Sequence, residues 1–293
     1  MDYLCFGEIL FDILSGQRKL GGAPLNVAAH LAKLGFKGSI VSSVGDDDLG
    51  NEAITSIKKI GIDSSLISIS SKETGRADIT LKDGDADYIF NDDSAWDNIP
   101  KPKNLPKHVG VIYFGTLAQR SALSRKTLEE ILSSTEAEEV FFDVNLRKQY
   151  YSREIIVEGL RKATILKMNE EEVPIIEDIL GIKERDIDKA SEEISRQYSI
   201  PTVIVTLGKN GAQIFRDGSW CKREAEAKRV VDTVGAGDSL SAGIIGSLLK
   251  GLGIKKALEI GSHIAAYVVS EEGAIPEYDE ELRKYLFEEG FLA

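Results

Sequence analysis

Asp232-Thr233-Val234-Gly235-Ala236-Gly237-Asp238 sets three residues of almost no side-chain bulk between two carboxylates. So bare a backbone lets an anionic ligand come close, and at a helix start its N–H groups have no intrahelical partner. The residues that follow predict that helix. Leu240, Ile244 and Leu248, with Ile245 and Leu249 beside them, recur at helical spacing, and Gly251 stands where a helix stops. The stretch therefore reads as a phosphate cradle opening a helix, whose partial positive charge favours a polyphosphate or the charge that develops in phosphoryl transfer. The amides of Gly235, Ala236 and Gly237 meet that charge, and Asp238 stands beside it as a proton acceptor. A plainer alternative is a tight turn with Asp238 decorating the first helical turn.

Around this stretch, strand-like runs at 4–6, 40–44, 109–114, 140–143, 164–167 and 202–207 alternate with helical periodicity. One such helix carries Val27, Ala28, Leu31 and Leu34, with Pro24 near its first turn and Gly35 as its stop. The alternation predicts a mostly parallel sheet with helices on both faces. It breaks between about 64 and 98, where Ala77, Ile79 and Leu81, then Tyr88 and Phe90, alternate with polar residues around Lys82-Asp83-Gly84-Asp85. That pattern predicts a β-hairpin flap. Residues 1–293 read as one α/β domain, with a small lid built from about 11–20 and 73–98.

Composition narrows the partners. The chain has 293 residues, 42% of them hydrophobic, and a formal charge of −12. That suffices for a sizeable core, and the acidic balance argues against nucleic-acid binding, which needs a basic field. Cys5 and Cys221 lie far apart without metal-type spacing, which reads as packing in a reducing compartment. No run approaches the ~18 apolar residues of a membrane span, and the expected location is cytoplasmic. Gly208-Lys209 lacks the other residues of a Walker loop, no Gly-x-Gly-x-x-Gly follows the first strand, and His-Glu-x-x-His and Cys-x-x-Cys are absent.

In a parallel sheet, ligands bind at the carboxyl ends of strands, which singles out residues at or just beyond predicted strand ends. Gly21-Gly22-Ala23-Pro24-Leu25-Asn26 offers backbone freedom beside an Asn at a helix start, suited to the hydroxyls of a polyol, and Asp12 accepts from two more. Asn169 and Glu172, one helical turn apart, face one side and orient water around a magnesium ion, or else serve only as helix-start charge. Thr206-Leu207-Gly208-Lys209-Asn210-Gly211 ends a strand in a turn able to wrap a nucleotide. Arg147, with Asn145 two residues before it, is a basic residue placed to hold a phosphate or an acidic group, or to form a surface ion pair. His263 lies on a predicted helix over 257–269 and reads as a half-buried polar residue.

With these motifs in view, the chain resembles the PfkB, or ribokinase-like, carbohydrate kinase family. Gly21-Gly22-Ala23-Pro24-Leu25-Asn26-Val27-Ala28 is similar to its first signature and Asp232 to Asp238 to its second, with Asn169-x-x-Glu172 between them. The resemblance implies a three-layer α/β/α sandwich with a β lid, and ATP-dependent phosphorylation of a sugar hydroxyl. It implies Asp238 as the base and Gly235, Ala236 and Gly237 as the anion hole. Asp12, Gly21, Gly22, Ala23, Asn26, Asn145 and Arg147 hold the sugar, with Tyr88 and Phe90 of the lid closing over it. Thr206, Gly208, Gly211 and the Ser262-His263 position serve ATP. Asn169 and Glu172 organise Mg2+ through water, and Asp232, Val234 and Gly273 hold K+.

Gly-Gly-Ala-Pro-x-Asn is more similar to fructokinases than to ribokinases, which makes fructose the first expected substrate. A 2-keto-3-deoxygluconate, ribose or nucleoside kinase, or a catalytically silent binding regulator, are the alternatives. The lid edges at Ile79 and Ile89 are expected to pair with a second copy.

Overall fold

The first strand, β1 (Tyr3–Phe6), is buried along its whole length, as expected for an uninterrupted apolar run covered on both faces. Leu4 and Phe6 join the core on one side of the sheet, Tyr3 and Cys5 the core on the other. The computed structural model describes residues 1–14, 16–82, 85–184, 186–227 and 229–292, without the side chains of 14, 80–82 and 85–88.

After β1 come β2 (Leu10–Leu14), β3 (Gln17–Gly21), α1 (Ala23–Lys33), β4 (Gly38–Gly45), α2 (Asp48–Ile60), β5 (Ile67–Ser70), β6 (Gly75–Lys82) and β7 (Asp85–Phe90). The chain continues through β8 (His108–Phe114), α3 (Ala122–Ser134), β9 (Glu136–Asp143), α4 (Arg153–Lys162), β10 (Ile165–Asn169), α5 (Glu172–Leu180), α6 (Ile187–Tyr198) and β11 (Thr202–Thr206). It ends with β12 (Ala212–Arg216), β13 (Ser219–Arg223), α7 (Ala236–Leu249), α8 (Ile254–Val269) and α9 (Glu280–Glu288).

The larger sheet runs β13-β12-β11-β10-β9-β8-β1-β4-β5. It is parallel from β5 to β11, and only β12 and β13 at one edge are antiparallel. The chain moves outward from β1 to β4 and β5, then crosses to β8 on the other flank and proceeds to β11. This reversal between β1 and β8 opens a crevice at the carboxyl ends of the strands. Leu25, Ile244 and Leu258 of α1, α7 and α8 pack on one face; Leu128, Ile156, Ile176 and Ile194 of α3 to α6 pack on the other. The expected three layers are present.

Helix α7 is buried on every side from Ser239 to Ser247. Its serines tolerate this because Ser239, Ser241 and Ser247 donate to carbonyls of their own helix at 2.7–2.9 Å. Helix α1 is likewise buried from Pro24 to Leu31, with His30 bonded to Tyr278 and to the Ala274 carbonyl.

The smaller sheet, β3-β2-β6-β7, is the lid. The hairpin β6–β7 forms as the alternation predicts, but β2 pairs in parallel with β6 across some sixty residues of chain, which local patterning does not reveal. Two corrections follow. Asp12 sits within β2, paired with Lys19, and not at a strand end of the main sheet. The lid strands stop at Phe90, and residues 95–98 form a short 3-10 turn that buries Trp96 in the main core. Among the described residues no helix is long and apolar enough to cross a membrane.

Candidate active site

The crevice holds a cavity of about 320 Å³ into which the separate motifs converge. Glu8 follows β1, Asp143 ends β9, Asn169 ends β10 and Thr206 ends β11, while α1 and α7 present Asn26 and Asp238 from their first turns. Asp12, Leu10 and Phe90 enter from the lid side, and Gly22, Ala23, Leu117, Asn145, Arg147, Lys167, Glu172, Thr233, Val234, Gly235 and Gly237 complete the wall.

Asp238 is half-buried, and its Oδ2 accepts a 2.8 Å hydrogen bond from Nδ2 of Asn26. Burial pushes its carboxyl up to about 6, against the pull of Lys167, Asn26 and Arg147, while Asp143 raises it further. Asp12 is likewise raised to about 6 by burial, with Arg147 opposing, and Glu8 to about 7 by burial, opposed by backbone amides and Arg147. Five carboxyl groups line the cavity, and Arg147 pulls down these three, Glu8, Asp12 and Asp238.

Gly235 sets up the cradle. Its φ of 80° is left-handed, and a Cβ there would stand 2.6 Å from the Cβ of Ala274. Asp232 fastens this loop: its two oxygens accept from the amides of Val234 and Gly273 at 3.0 and 3.1 Å. Gly237 and Asp238 follow in the first turn of α7, where amides have no i−4 carbonyl within the helix. At the entry to α1, Gly22 has φ 110°, and a Cβ on it would lie 2.4 Å from the Glu8 carbonyl oxygen. Gly21 lies directly against the Asp12 carboxylate.

Asn169 and Glu172 cap one another's loops. Asn169 Oδ1 accepts from the amides of Glu171 and Glu172 at 2.9 and 2.8 Å, and Glu172 accepts from the amides of Leu146 and Asn169 at 2.7 and 2.8 Å. The expected pairing of these two side chains on one helix face is therefore corrected: Asn169 is occupied in capping α5. Burial, then Asp143, raises the Glu172 carboxyl. Each Glu172 oxygen holds a single amide bond, so a lone pair remains for a water of a hydrated divalent cation. No cluster of three His, Cys, Asp or Glu side chains fit for direct metal ligation occurs among the described residues. The set fits a phosphate-borne, water-bridged Mg2+ and not a dedicated cage.

Other expected residues sit outside the cavity wall. Gly208 and Gly211 form the turn after β11, with only Thr206 reaching the cavity. His263 stacks on Tyr285 at 4.0 Å, with Nδ1 3.3 Å from Glu226. Gly273 and Asp232 brace the cradle from behind. The side chain of Tyr88 lies outside the described residues.

Sequence reasoning missed Glu8 and Lys167. Lys167 is buried and lines the cavity, with Nζ 2.7 Å from Asp143 Oδ2, which also accepts from the Tyr113 hydroxyl at 2.9 Å. The available signal was a lysine in the middle of an otherwise apolar strand, Ile165-Leu166-Lys167-Met168.

The pattern described as pfkB family carbohydrate kinase matches residues 4–281. The chain belongs to the pfkB family of carbohydrate kinases. An ATP-dependent 6-phosphofructokinase from Thermoanaerobacterium thermosaccharolyticum is 27% identical over 94% of this chain and 89% of its own length. A probable fructokinase-5 from Arabidopsis thaliana is 28% identical over 92% of each chain. The solved structure of an uncharacterized sugar kinase from Pyrococcus horikoshii in complex with ATP matches at a TM-score of 0.83 and 26% identity, covering 99% of this chain and 100% of that one. This pfkB-family chain has the ribokinase-like α/β fold and is a phosphotransferase of the carbohydrate kinase class.

Proposed function

We propose that this pfkB-family kinase transfers the γ-phosphoryl group of ATP to a hydroxyl of a neutral ketohexose, fructose first, with Asp238 as general base. The observation that carries this reading is the Asn26–Asp238 hydrogen bond, which fixes a carboxylate at the start of α7 in the cavity that also holds Asp12 and Arg147. In the step, the sugar oxygen bonds to the γ-phosphorus as the bond to the β–γ bridging oxygen breaks. The hydroxyl proton passes to Asp238, and ADP leaves with the electron pair of the broken bond. The first-turn amides of Gly237 and Asp238 meet the charge on the phosphoryl oxygens, the Ala236 amide being held by the Thr233 carbonyl. Glu172, each of whose oxygens keeps a lone pair, would hold water of a Mg2+ ion that neutralises phosphate charge, and Asn169 would hold the Glu172 loop in place.

Glu8 and Asp12 support a neutral acceptor, since an anionic sugar would meet two carboxyls for one Arg147. Arg147 supports a second reading, a sugar acid whose carboxylate it would clasp. The edge strand β7, with Ile89 exposed, supports pairing with a second copy, which sedimentation would report. Coupled measurement of ADP release over hexoses, pentoses, ketodeoxy acids and nucleosides, with and without K+, tests the substrate. Fructose should give the highest kcat/KM, and Asp238→Asn should lose roughly 10²–10⁴-fold in kcat. A folded Asp238→Asn chain with near-normal turnover would sink the base assignment.

A further inference from the structure

Beneath the phosphate cradle lies a charged group that the reaction as described leaves unused. Lys167 and Asp143 are register partners in the adjacent parallel strands β10 and β9, so their side chains share a face of the sheet. Both are buried, and Asp143 Oδ2 is held from two sides by Lys167 Nζ and the Tyr113 hydroxyl, while its Oδ1 has no partner among the described residues. An ammonium has three N–H donors, and this pair occupies one of them. Nζ also stands 3.3 Å from the point where a Cβ on Gly237 would be, against the bare backbone of the cradle. A cation is thus held in place, lining the cavity, at the residue where the α7 amides open.

We propose that Lys167 is a catalytic residue that contacts the transferring phosphoryl group, and that Asp143 and Tyr113 are positioning residues that fix its ammonium before substrate arrives. The proposal rests on the phosphoryl-transfer chemistry and not on which sugar accepts. As the γ-phosphorus leaves the bridging oxygen for the sugar oxygen, charge spreads over its equatorial oxygens, and a cation already in place meets it without reorganisation. The same charge acts on the base. Asp238 is faced by Asn26 from α1, Lys167 from β10, Asp143 from β9, Arg147 from the following loop, and Glu8 and Asp12 across the cavity. Of the groups that pull its carboxyl down, Lys167 is foremost.

A structural alternative is that Lys167 only compensates a buried Asp143. Lys167→Met alone cannot separate the two, because it strands Asp143 in the interior. Lys167→Met combined with Asp143→Asn removes both charges and should restore thermal stability. We expect this double variant to lose roughly 10²–10³-fold in kcat with sugar KM within a few-fold. Its calorimetric affinity for ADP with aluminium tetrafluoride should fall while that for ADP alone holds. The acid limb of its rate profile should move only slightly, to higher pH, because loss of Lys167 raises the Asp238 carboxyl while loss of Asp143 lowers it. Lys167→Arg, which keeps a positive charge beside Asp143 and whose folding is checked by its melting temperature, should lose at least about tenfold in kcat, because a planar fork cannot place a point charge there. Turnover near that of the parent in either variant overturns the proposal. A parent chain that releases no ADP with any acceptor instead defeats the kinase chemistry itself, and the proposal falls with it.

Discussion

Asp238 makes the rate a reporter of its own environment. Its carboxyl stands at about 6 in the free enzyme because burial outweighs the pull of Lys167, Asn26 and Arg147. A general base must be ionised, so kcat/KM for the sugar should fall as pH falls through that value. A group titrating near 6 is roughly 91% ionised at pH 7 and roughly 9% at pH 5, a loss of about tenfold. An aspartate at its ordinary value would still be roughly 90% ionised at pH 5 and would lose almost nothing. The assay is initial ADP release at limiting sugar from pH 4.5 to 8.5, with coupling enzymes verified at each pH. Asp12 titrates in the same range, so if both carboxylates must be charged, the acid limb has a slope near two and Asp12→Asn returns it to one. A profile flat to pH 4.5 would refute both the burial argument and the assignment of the base.

Stability should respond in the opposite sense. The folded-state pKa of Asp238 lies above its unfolded value of 3.8, so ionising it costs stability, a cost absent below about pH 4 and complete above about pH 6. Asp238→Asn should therefore be more stable than the parent by about 1–3 kcal/mol at pH 8, the range allowing for partial exposure, with the gap closing at pH 4 in urea titrations. Gly22→Ala must relieve a 2.4 Å clash with a backbone carbonyl from a left-handed conformation, and should lose about 2 kcal/mol or more together with sugar affinity. Arg147→Gln removes the cation shared by Glu8, Asp12 and Asp238, and should raise sugar KM by roughly tenfold and move the acid limb to higher pH.

Features written in consecutive residues were legible before the structure. The Gly235–Asp238 helix start, the Gly21–Asn26 entry to α1 and the β6–β7 alternation each depend on neighbours within one turn or hairpin, and each formed. What escaped depends on pairing between distant segments. Asp12 reads as a strand-end residue until β2 is seen beside β6, and Lys167 reads as an anomaly until β10 is set against β9 with Asp143 opposite. Asn169 and Glu172 were found as a pair but misread in detail, because spacing cannot say whether a side chain turns to the cavity or to the amides of its own loop.

The deep seating of α7 has a consequence for where such an enzyme tolerates change. Sunk in the interior on every side, this helix can scarcely shift its aim without disturbing much of the core. The lid is a separate small sheet whose strands pair only with each other. Changes in the lid sheet and the rim near Arg147 should therefore disturb the core less than changes in α7.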